Sequence, residues 1–437
     1  MKLYDNIIRI LGKKQATSYN RGFLPSEMVS ECERQAIKNS YDIYCGRAPW
    51  LSQGRKGLCL ASGIVSELAR LTLTEFKAEF GDKARDVELE RCFNGFISRI
   101  RRSVEYACAT GGVIFKPCCD GKRITVKTVL PFEFLPLSTD PDGKINECAF
   151  LDYTTSNGKK YMRIEAHKYE NGVCTVTNRA FRIENGGSLV PCPLSSVEKW
   201  KDLSIKAEIE GLRGPLFAYF SMPDCNSDPS SPLGVPIFRR AESLIKEADL
   251  QFSRLLWEFE GGELAIDASE DAFRVGKDGK PRLPEGKERL YRTNALDACC
   301  SSNELLKTFA PELRDKSLIN GLNRIVMFVE DACGIARGTF SDPSEVAKTA
   351  TEVRSMRQRT YSTVTSIQTS LSLAISELVR CINDIANLYG IWEGDATINV
   401  SFGDGVLADS ESERKEQRED VKYGIITAEE FKQKWYA

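Results

Sequence analysis

The residues that could carry acid–base chemistry are few, because the 437-residue chain contains one histidine, His167. Most general-base, metal-ligating and nucleophile-activating sites use histidine. His167 lies in the alternating segment RIEAHKYENG, which ends in an Asn-Gly turn and therefore predicts a strand. A solvent-exposed position on that strand is the favoured interpretation, and a catalytic role is the alternative.

Two further segments contain residue types that occur in phosphate or metal sites. Residues 276–280 (GKDGK) combine glycine with lysine but lack the spacing of a phosphate-binding Walker loop, so they predict turns. Asp404 lies between two glycines, without the additional acidic ligands that a metal-binding loop requires. The sequence also contains no GxGxxG, GxSxG or HExxH motif. We therefore expect a protein that is not an enzyme and that uses no cofactor and no metal.

The fifteen cysteines are an odd number, and none of them belongs to a CxxC pair. The adjacent pairs Cys118-Cys119 and Cys299-Cys300 are poorly placed for chelating a metal or for forming an unstrained disulfide. This pattern predicts reduced, buried thiols in a cytoplasmic setting.

The overall charge limits the classes of partner. The formal net charge is −2 and the isoelectric point is near 5.9. A protein that binds nucleic acid tightly and sequence-specifically usually has a basic domain, so this balance favours at most loose contact with DNA. No segment approaches the roughly 20 uninterrupted apolar residues of a membrane-spanning helix. The N-terminal run MKLYDNIIRILGKK is amphipathic and lacks the apolar block of a secretory signal.

The first 230 residues change from helical to strand periodicity. Apolar residues recur at helical spacing in residues 1–110, alternate as in strands in residues 112–200, and give way to a loop-rich link in residues 201–230. The strand region predicts an antiparallel meander of about five strands. Its turns are predicted at Asp120-Gly121, Asn157-Gly158 and Asn171-Gly172.

Two helices, predicted at residues 236–259 and 311–333, flank a small unit. Within that unit, Leu264–Asp267 and Leu290–Thr293 predict two short strands. Because a strand pair is marginal by itself, it would gain most by pairing with the strands of a neighbouring subunit. A hairpin folded against its own two helices is the alternative.

A very long helix is predicted from Ser341 to Tyr389, where apolar residues recur at steps of three and four without an interrupting glycine after Pro343. At about 1.5 Å per residue it would extend about 65 Å. Its portion from Thr360 to Ser372 is rich in serine and threonine, which are weak helix formers. Packing, or a neighbouring subunit, must therefore stabilise it. The sequence then predicts a strand (TINVSF), a turn at residues 403–405, a charged helix at 409–423 and a capping box at 427–430.

This order of elements, together with the wording of two segments, resembles the portal proteins of long-tailed bacteriophages or prophages. The segments are NGLNRIVMFVEDACGIARGTFSDPSEVAKTATEV and SFGDG…ESERKEQREDVKYGIITAEEF. The resemblance covers nearly the whole chain and implies an α+β, mainly helical portal fold with an antiparallel meander in its wing. The implied parts are a wing (1–230), a first stem helix (232–260), a clip (261–308), a second stem helix (309–334), a tunnel loop (335–347), a long wing helix (348–389) and a short crown (390–437).

The resemblance also implies what such a protein does. Portal proteins form closed homo-oligomeric rings, usually dodecamers, at one vertex of the virion capsid. Genome DNA would pass non-specifically through the ring as double-stranded DNA during packaging and ejection. The implied partners are the terminase large subunit, which would be the separate ATPase, a head–tail adaptor, scaffold and the major capsid protein, with no membrane involved. Assembly would take place in the cytoplasm of the bacterial host.

The resemblance assigns candidate residues to three places. DNA must slide without being retained, which favours mixed charges such as Lys316 and Arg324 beside Glu330 and Asp331 on the second stem helix. Glycines 334 and 338 are expected to give the tunnel loop mobility. The implied residues are Ile335, Arg337, Gly338, Thr339, Phe340 and Ser341 in the tunnel loop and DNA channel; Lys316, Asn320 and Arg324 in the stem channel; and Leu264, Ile266, Leu290 and Tyr291 at the clip subunit interface.

Several interpretations stay open at this point. Arg337 is either a cation near the ring axis or an ordinary surface salt-bridge partner. Residues 335–347 are either a tunnel loop or a plain helix–helix connection. Trp257 and Phe259 are either anchors of a ring interface or ordinary core residues. For the whole chain, the alternative is a non-portal structural or adaptor protein of a phage or prophage.

Overall fold

The computed structural model describes residues 28–51, 56–184, 187–269, 291–294, 306–343, 350–403, 418–423, 426–427 and 431. In these residues the chain has an α+β fold with largely antiparallel sheets. The helices are α1 (Glu31–Tyr44), α2 (Leu60–Thr72), α3 (Ala84–Ile97), α4 (Ile100–Thr110), α5 (Glu242–Gly261), α6 (Asp315–Ala332) and α7 (Ala350–Leu388). The strands are β1 (Lys77–Phe80), β2 (Gly112–Cys119), β3 (Ile124–Val129), β4 (Phe134–Thr139), β5 (Ile145–Ser156), β6 (Lys159–Glu170), β7 (Val173–Ile183), β8 (Leu189–Cys192), β9 (Lys206–Ile209), β10 (Ala218–Ser221), β11 (Ala265–Ser269), β12 (Tyr291–Asn294), β13 (Leu306–Phe309) and β14 (Ile398–Ser401).

The largest sheet is the predicted meander. Strands β4 to β8 follow one another in antiparallel order, and β9 pairs with β7. Asn157 and Asn171 both have φ 50° and each precedes a glycine with positive φ, which is the geometry of tight hairpin turns. The prediction of about five strands counted the β2–β3 hairpin with β5, β6 and β7 and missed β4 and β8, so the described part of residues 112–200 contains seven strands, and β2 and β3 do not belong to this sheet. The β2–β3 hairpin pairs with β10 in a separate three-stranded sheet.

The predicted long helix is α7, whose 39 residues extend about 58 Å at about 1.5 Å per residue. It packs against α2 and against strands β2 and β10. Its inward face buries a row of aliphatic side chains, and burying each contributes about 1.5–3 kcal/mol. Members of that row are Val364, Ile367, Leu371, Ile375, Leu378 and Ile382. Packing inside the protomer therefore stabilises this serine- and threonine-rich helix.

The two helices flanking the small unit, α5 and α6, form an antiparallel hairpin. Leu255 of α5 and Val326 and Val329 of α6 are buried. At the far end of the hairpin, the guanidinium of Arg314 lies 2.7 Å from the carboxylate of Glu258. The two predicted helices are thus confirmed, with slightly later starting residues.

The small unit contains three described strands rather than two. Strand β11 is central, parallel to β12 and antiparallel to β13. The sequence prediction missed β13, because LKTF is only four residues long and alternates weakly. The premise that this unit offers only two strands was therefore wrong.

The last described strand joins the N-terminal region. Strand β14, predicted from TINVSF, pairs antiparallel with β1 at a separation of more than 300 residues. Trp392 and Ala396 are buried against the same core as the N-terminal helices. The start of the expected crown is thus packed onto the N-terminal region in this protomer. The predicted helix at 409–423 and capping box at 427–430 lie mostly outside the described residues.

Candidate channel-lining site

Residues 334–342, here called the connecting segment, lead from the end of α6 towards α7. Gly334 and Gly338 have φ values of +67° and +86°. Both therefore lie in turns whose backbone conformation is unfavourable for residues that carry a side chain. Thr363 of α7 donates its hydroxyl to the carbonyl of Gly334 at 2.9 Å, and Thr360 accepts the amide of Ala336 at 2.8 Å. The first turn of the segment is therefore bonded to α7.

Glu330, in the last turns of α6, organises the rest of the segment. Its side chain is fully buried. Oε1 accepts the amides of Phe340 and Ser341 at 2.6 and 3.0 Å. Oε2 accepts the amide of Gly338 at 3.2 Å and the hydroxyl of Ser341 at 2.7 Å. Four donors from residues 338–341 thus surround one carboxylate, and no described lysine or arginine forms an ion pair with it.

The sequence placed Glu330 among the mixed charges of the stem surface, and its burial corrects that expectation. Position 330 follows the buried Val326 by four residues and precedes the buried Cys333 by three, which is the apolar phase of α6. This apolar spacing is the sequence signal from which the burial of Glu330 could have been predicted. The same periodicity leaves the next residue, Asp331, near the surface.

Arg337 lies at the surface and pairs with Asp331, whose carboxylate is 2.6 Å from the guanidinium. Arg359 of α7 contacts the same carboxylate at 2.8 Å. The hydrogen bond and the charge of Asp331 raise the pKa of Arg337. In this protomer Arg337 has the geometry of the salt-bridge interpretation. Its position relative to a ring axis stays a prediction.

The remaining residues of the connecting segment differ in exposure. Ile335 is buried and Ser341 is bonded inside the segment, whereas Thr339 and Phe340 reach the surface. The ring of Phe340 lies against Gly63 of α2, where an added Cβ would be 3.1 Å from it. Ile335 therefore anchors the segment within the protomer. Of the expected tunnel loop, residues 344–347 lie outside the described chain.

Lys316, Asn320 and Arg324 share one solvent-exposed face of α6, since they are spaced four residues apart. The structure brings these three stem candidates together, at the far side of α6 from α5. Ile319 and Phe328 are also exposed, at 46% and 53%. These two are nine residues apart, which is two and a half helical turns, so they flank the face on opposite sides.

The clip candidates lie on or beside the small sheet. Ile266 is on the central strand β11, opposite Tyr291 of β12. Leu264 immediately precedes β11 and is exposed. Leu290 falls outside the described residues. Strands β12 and β13 are the two edges of the described sheet, and no other described strand pairs with either edge.

Trp257 and Phe259, at the end of α5, are exposed at 68% and 42%. They are therefore not core residues of this protomer.

His167 is on strand β6, as predicted, but it is buried rather than exposed. Its ring contacts Phe150 of the neighbouring strand β5 and Phe217, the residue before β10, with centroids 5.2 and 6.4 Å away. Nε2 lies 2.7 Å from Oε1 of Glu165, and Nδ1 has no partner among the described residues. Burial lowers the pKa of His167 against the raising effect of Glu165. The expectation of a surface histidine failed because alternation identifies a strand but not how many of its faces are covered.

Glu165 is the centre of this buried cluster. Lys116 of β2 and Arg163 of β6 lie 2.5 and 2.8 Å from its carboxylate. Burial would raise the pKa of Glu165, but the His167 hydrogen bond and the charges of Lys116 and Arg163 hold it well below the usual range. The cluster links the two sheets of the N-terminal half and contacts no cysteine or hydroxyl positioned as a nucleophile among the bonds described.

The described part of the chain contains neither a metal-binding cluster nor a membrane-spanning helix. No group of histidine, cysteine, aspartate and glutamate side chains there could hold a metal ion. None of its helices combines the length and the apolar character needed to cross a membrane. The GKDGK segment and Asp404 lie outside the described residues.

The sequence matches a known protein family. The family model described as phage portal protein, SPP1 Gp6-like, matches residues 61–431. The matched region includes the α5–α6 hairpin, the connecting segment and α7. No curated protein matches the sequence.

Proposed function

The chain belongs to the SPP1 Gp6-like phage portal proteins, and we propose that it forms a closed ring whose central channel carries double-stranded DNA into and out of a phage capsid. The observation that carries this proposal is the family match over residues 61–431. In the proposed ring, the exposed face of α6 with Lys316, Asn320 and Arg324 turns towards the axis. The short sheet around β11 extends beyond the hairpin as the clip.

The distribution of exposed apolar residues supports a ring. A ring needs two different complementary surfaces on each subunit, because its contacts are head-to-tail. Ile319 and Phe328 lie on opposite flanks of α6, with the polar face between them. Trp257 adds a further exposed anchor on α5. Neighbouring subunits on both sides would cover these side chains and leave the polar face open to the channel.

The charge of the proposed channel face supports non-specific contact with DNA. A protein that neutralises many phosphates releases counterions and binds tightly. The face of α6 carries two cations, Lys316 and Arg324, and the neutral Asn320, while Glu330 is buried and the carboxylate of Asp331 already pairs with Arg337 and Arg359. The expected balance of charges is therefore absent from this face, and only the net charge of −2 for the whole chain opposes the attraction between these cations and DNA phosphates.

The proposal assigns the partners by position. The clip would dock the terminase large subunit during packaging and the head–tail adaptor afterwards. The outer surface of the N-terminal half would contact scaffold and the major capsid protein at the portal vertex, during assembly in the bacterial cytoplasm. ATP hydrolysis would belong to the terminase, so purified portal protein should hydrolyse no ATP above background.

Mass photometry with negative-stain imaging tests the ring. Purified protein in physiological salt, with and without scaffold, should form rings of about twelve subunits with a central hole. Ile319→Ser and Phe328→Ser should shift the population towards monomers. Ile205→Ser is the matched control, because Ile205 is 73% exposed but lies beside the meander. Monomers or dimers at every concentration in both conditions would contradict the portal proposal and favour an adaptor protein.

A further inference from the structure

We propose that Glu330 is a positioning residue that fixes the connecting segment, residues 334–342, as a rigid base of the channel wall. This inference rests on the proposed function, in which residues 334–342 belong to the wall of the DNA channel, and it deepens that function. Sequence resemblance alone suggests that Gly334 and Gly338 make this stretch mobile. The contacts argue for the opposite property.

The carboxylate of Glu330 depends on residues 338–341 for its hydrogen bonds. All four groups that donate to Glu330 come from residues 338–341, and three of them are backbone amides. If these residues moved away, a fully buried carboxylate would lose every partner described here. An ionised group without partners in an apolar site is strongly unfavourable, so the bonded arrangement is the stable one.

Side chains of α6 and α7 also bond the connecting segment at separate points. Thr360 and Thr363 of α7 bond its first residues, and the side chain of Asn323 on α6 accepts the amide of Asp342 at 2.7 Å. An added Cβ at Gly334 would lie 2.5 Å from the hydroxyl oxygen of Thr363, so the backbone there approaches α7 closely. The segment is therefore attached to both helices along its length.

The functional consequence concerns how the diameter of the proposed channel could change at residues 334–342. Arg337 and Thr339 keep a fixed position relative to α6, because the bonds on both sides of them hold the backbone. A change in channel diameter at these residues then requires α6 and α7 to shift relative to each other. A local loop movement within residues 334–342 does not suffice.

Hydrogen exchange monitored by mass spectrometry tests this inference on the purified full-length chain. In Glu330→Gln, the new amide group presents N–H to at least one of the donors, so exchange in peptides covering 338–341 should rise by about tenfold or more. Ser341→Ala removes one of the four bonds to Glu330, together with the hydroxyl that also accepts the amide of Gly338 at 2.9 Å, and leaves the three amide bonds to the carboxylate, so it should give a smaller increase in the same peptides. Asp331→Asn is the matched control, because the neighbouring carboxylate bonds the side chains of Arg337 and Arg359 and none of these amides.

A merely structural role of Glu330 would give a different pattern. In that case exchange would also rise along α6 and in the core of α7, and the melting temperature would fall in proportion. Local exchange confined to 338–341 in Glu330→Gln and Ser341→Ala, with Asp331→Asn within about twofold of wild type, supports the inference. Fast exchange of these amides in the wild type, or equal exchange in all variants, overturns it. The readout does not depend on ring formation, so its failure is distinct from failure of the proposed function.

Discussion

Two glutamates of this protein, the largely buried Glu165 and the fully buried Glu330, are held in opposite ways. Glu165, between the two sheets of the N-terminal half, is surrounded by Lys116, Arg163 and His167. Glu330, at the end of α6, is surrounded by backbone amides and one serine hydroxyl. The first carboxylate is stabilised by opposite charge, and the second by the direction of nearby N–H groups.

The difference indicates what each region is built to do. Lys116 and Glu165 belong to different sheets, so their attraction holds two preformed layers together. Amide donors come instead from a stretch of irregular chain, and bonding them fixes the path of that chain. The sheets of the N-terminal half therefore use side-chain charge to join elements, whereas the proposed channel wall uses one carboxylate to shape a segment without regular structure.

The largest expected effect comes from breaking the charged cluster. Glu165→Ala leaves Lys116 and Arg163 facing each other in a largely buried site, so the free energy of unfolding should fall by about 3–5 kcal/mol. Urea denaturation measures this change. Glu170→Ala, at the exposed end of the same strand, is the control and should cost under about 1 kcal/mol. Equal losses for the two variants would show that the cluster is not what joins the sheets.

A smaller effect is expected where the connecting segment meets α7. Gly334→Ala forces a side chain into positive φ and against Thr363, so it should cost about 2–3 kcal/mol in unfolding free energy. Gly390→Ala has a similar φ of +63° with open space around it, so it isolates the cost of φ alone. Thermal and urea unfolding of both variants give the comparison. If Gly390→Ala lowers the unfolding free energy as much as Gly334→Ala does, the close contact with Thr363 contributes nothing to the cost of Gly334→Ala.

The charged cluster should respond to pH through its single histidine. Since burial lowers the pKa of His167 in the folded protein, the unfolded chain takes up the proton first as pH falls. Stability should therefore decrease from about pH 7 towards pH 5, with a slope of at most about 1.4 kcal/mol per pH unit for one proton. The lowered pKa of Glu165 adds a further loss only below about pH 4.5, its ordinary value. Denaturation of wild type and His167→Gln across this range tests the assignment, and an identical slope in both would refute it.

The smallest effect is expected at the surface ion pair of the connecting segment. Arg337→Gln removes a solvent-exposed partner of Asp331, while Arg359 remains. Exposed pairs of this kind contribute about 0–1 kcal/mol to stability, so unfolding should barely change. Arg359→Gln provides the matched removal of the other cation. A loss well above that range would mean that Arg337, rather than Glu330, fixes the segment.

Locally encoded features were predictable from the sequence. Turns at Asn157-Gly158 and Asn171-Gly172 follow from residues that adopt positive φ readily, and α7 follows from a period that continues over ten turns. The β1–β14 pair could not be predicted in the same way, because each strand has four residues and its partner is more than 300 residues distant. Burial of His167 depends on Phe217 from a distant segment, which alternation within one strand cannot show.

The candidate site was predictable only in part. The exposed face of Lys316, Asn320 and Arg324 follows from helical spacing, and the structure places all three at the surface of α6. The role of Glu330 was hidden, because its partners are backbone amides that have no signature in the sequence. Only its position in the apolar phase of α6 distinguished it from the surface acid beside it.

Single-particle cryo-electron microscopy of the wild-type protein in physiological salt tests the central claim most directly. We predict a closed ring with an axial hole, lined by the face of α6 that carries Lys316, Asn320 and Arg324, and with Glu330 bonded to residues 338–341 in every subunit. A ring whose α6 face points outwards, or particles that never close around a hole, would contradict the account.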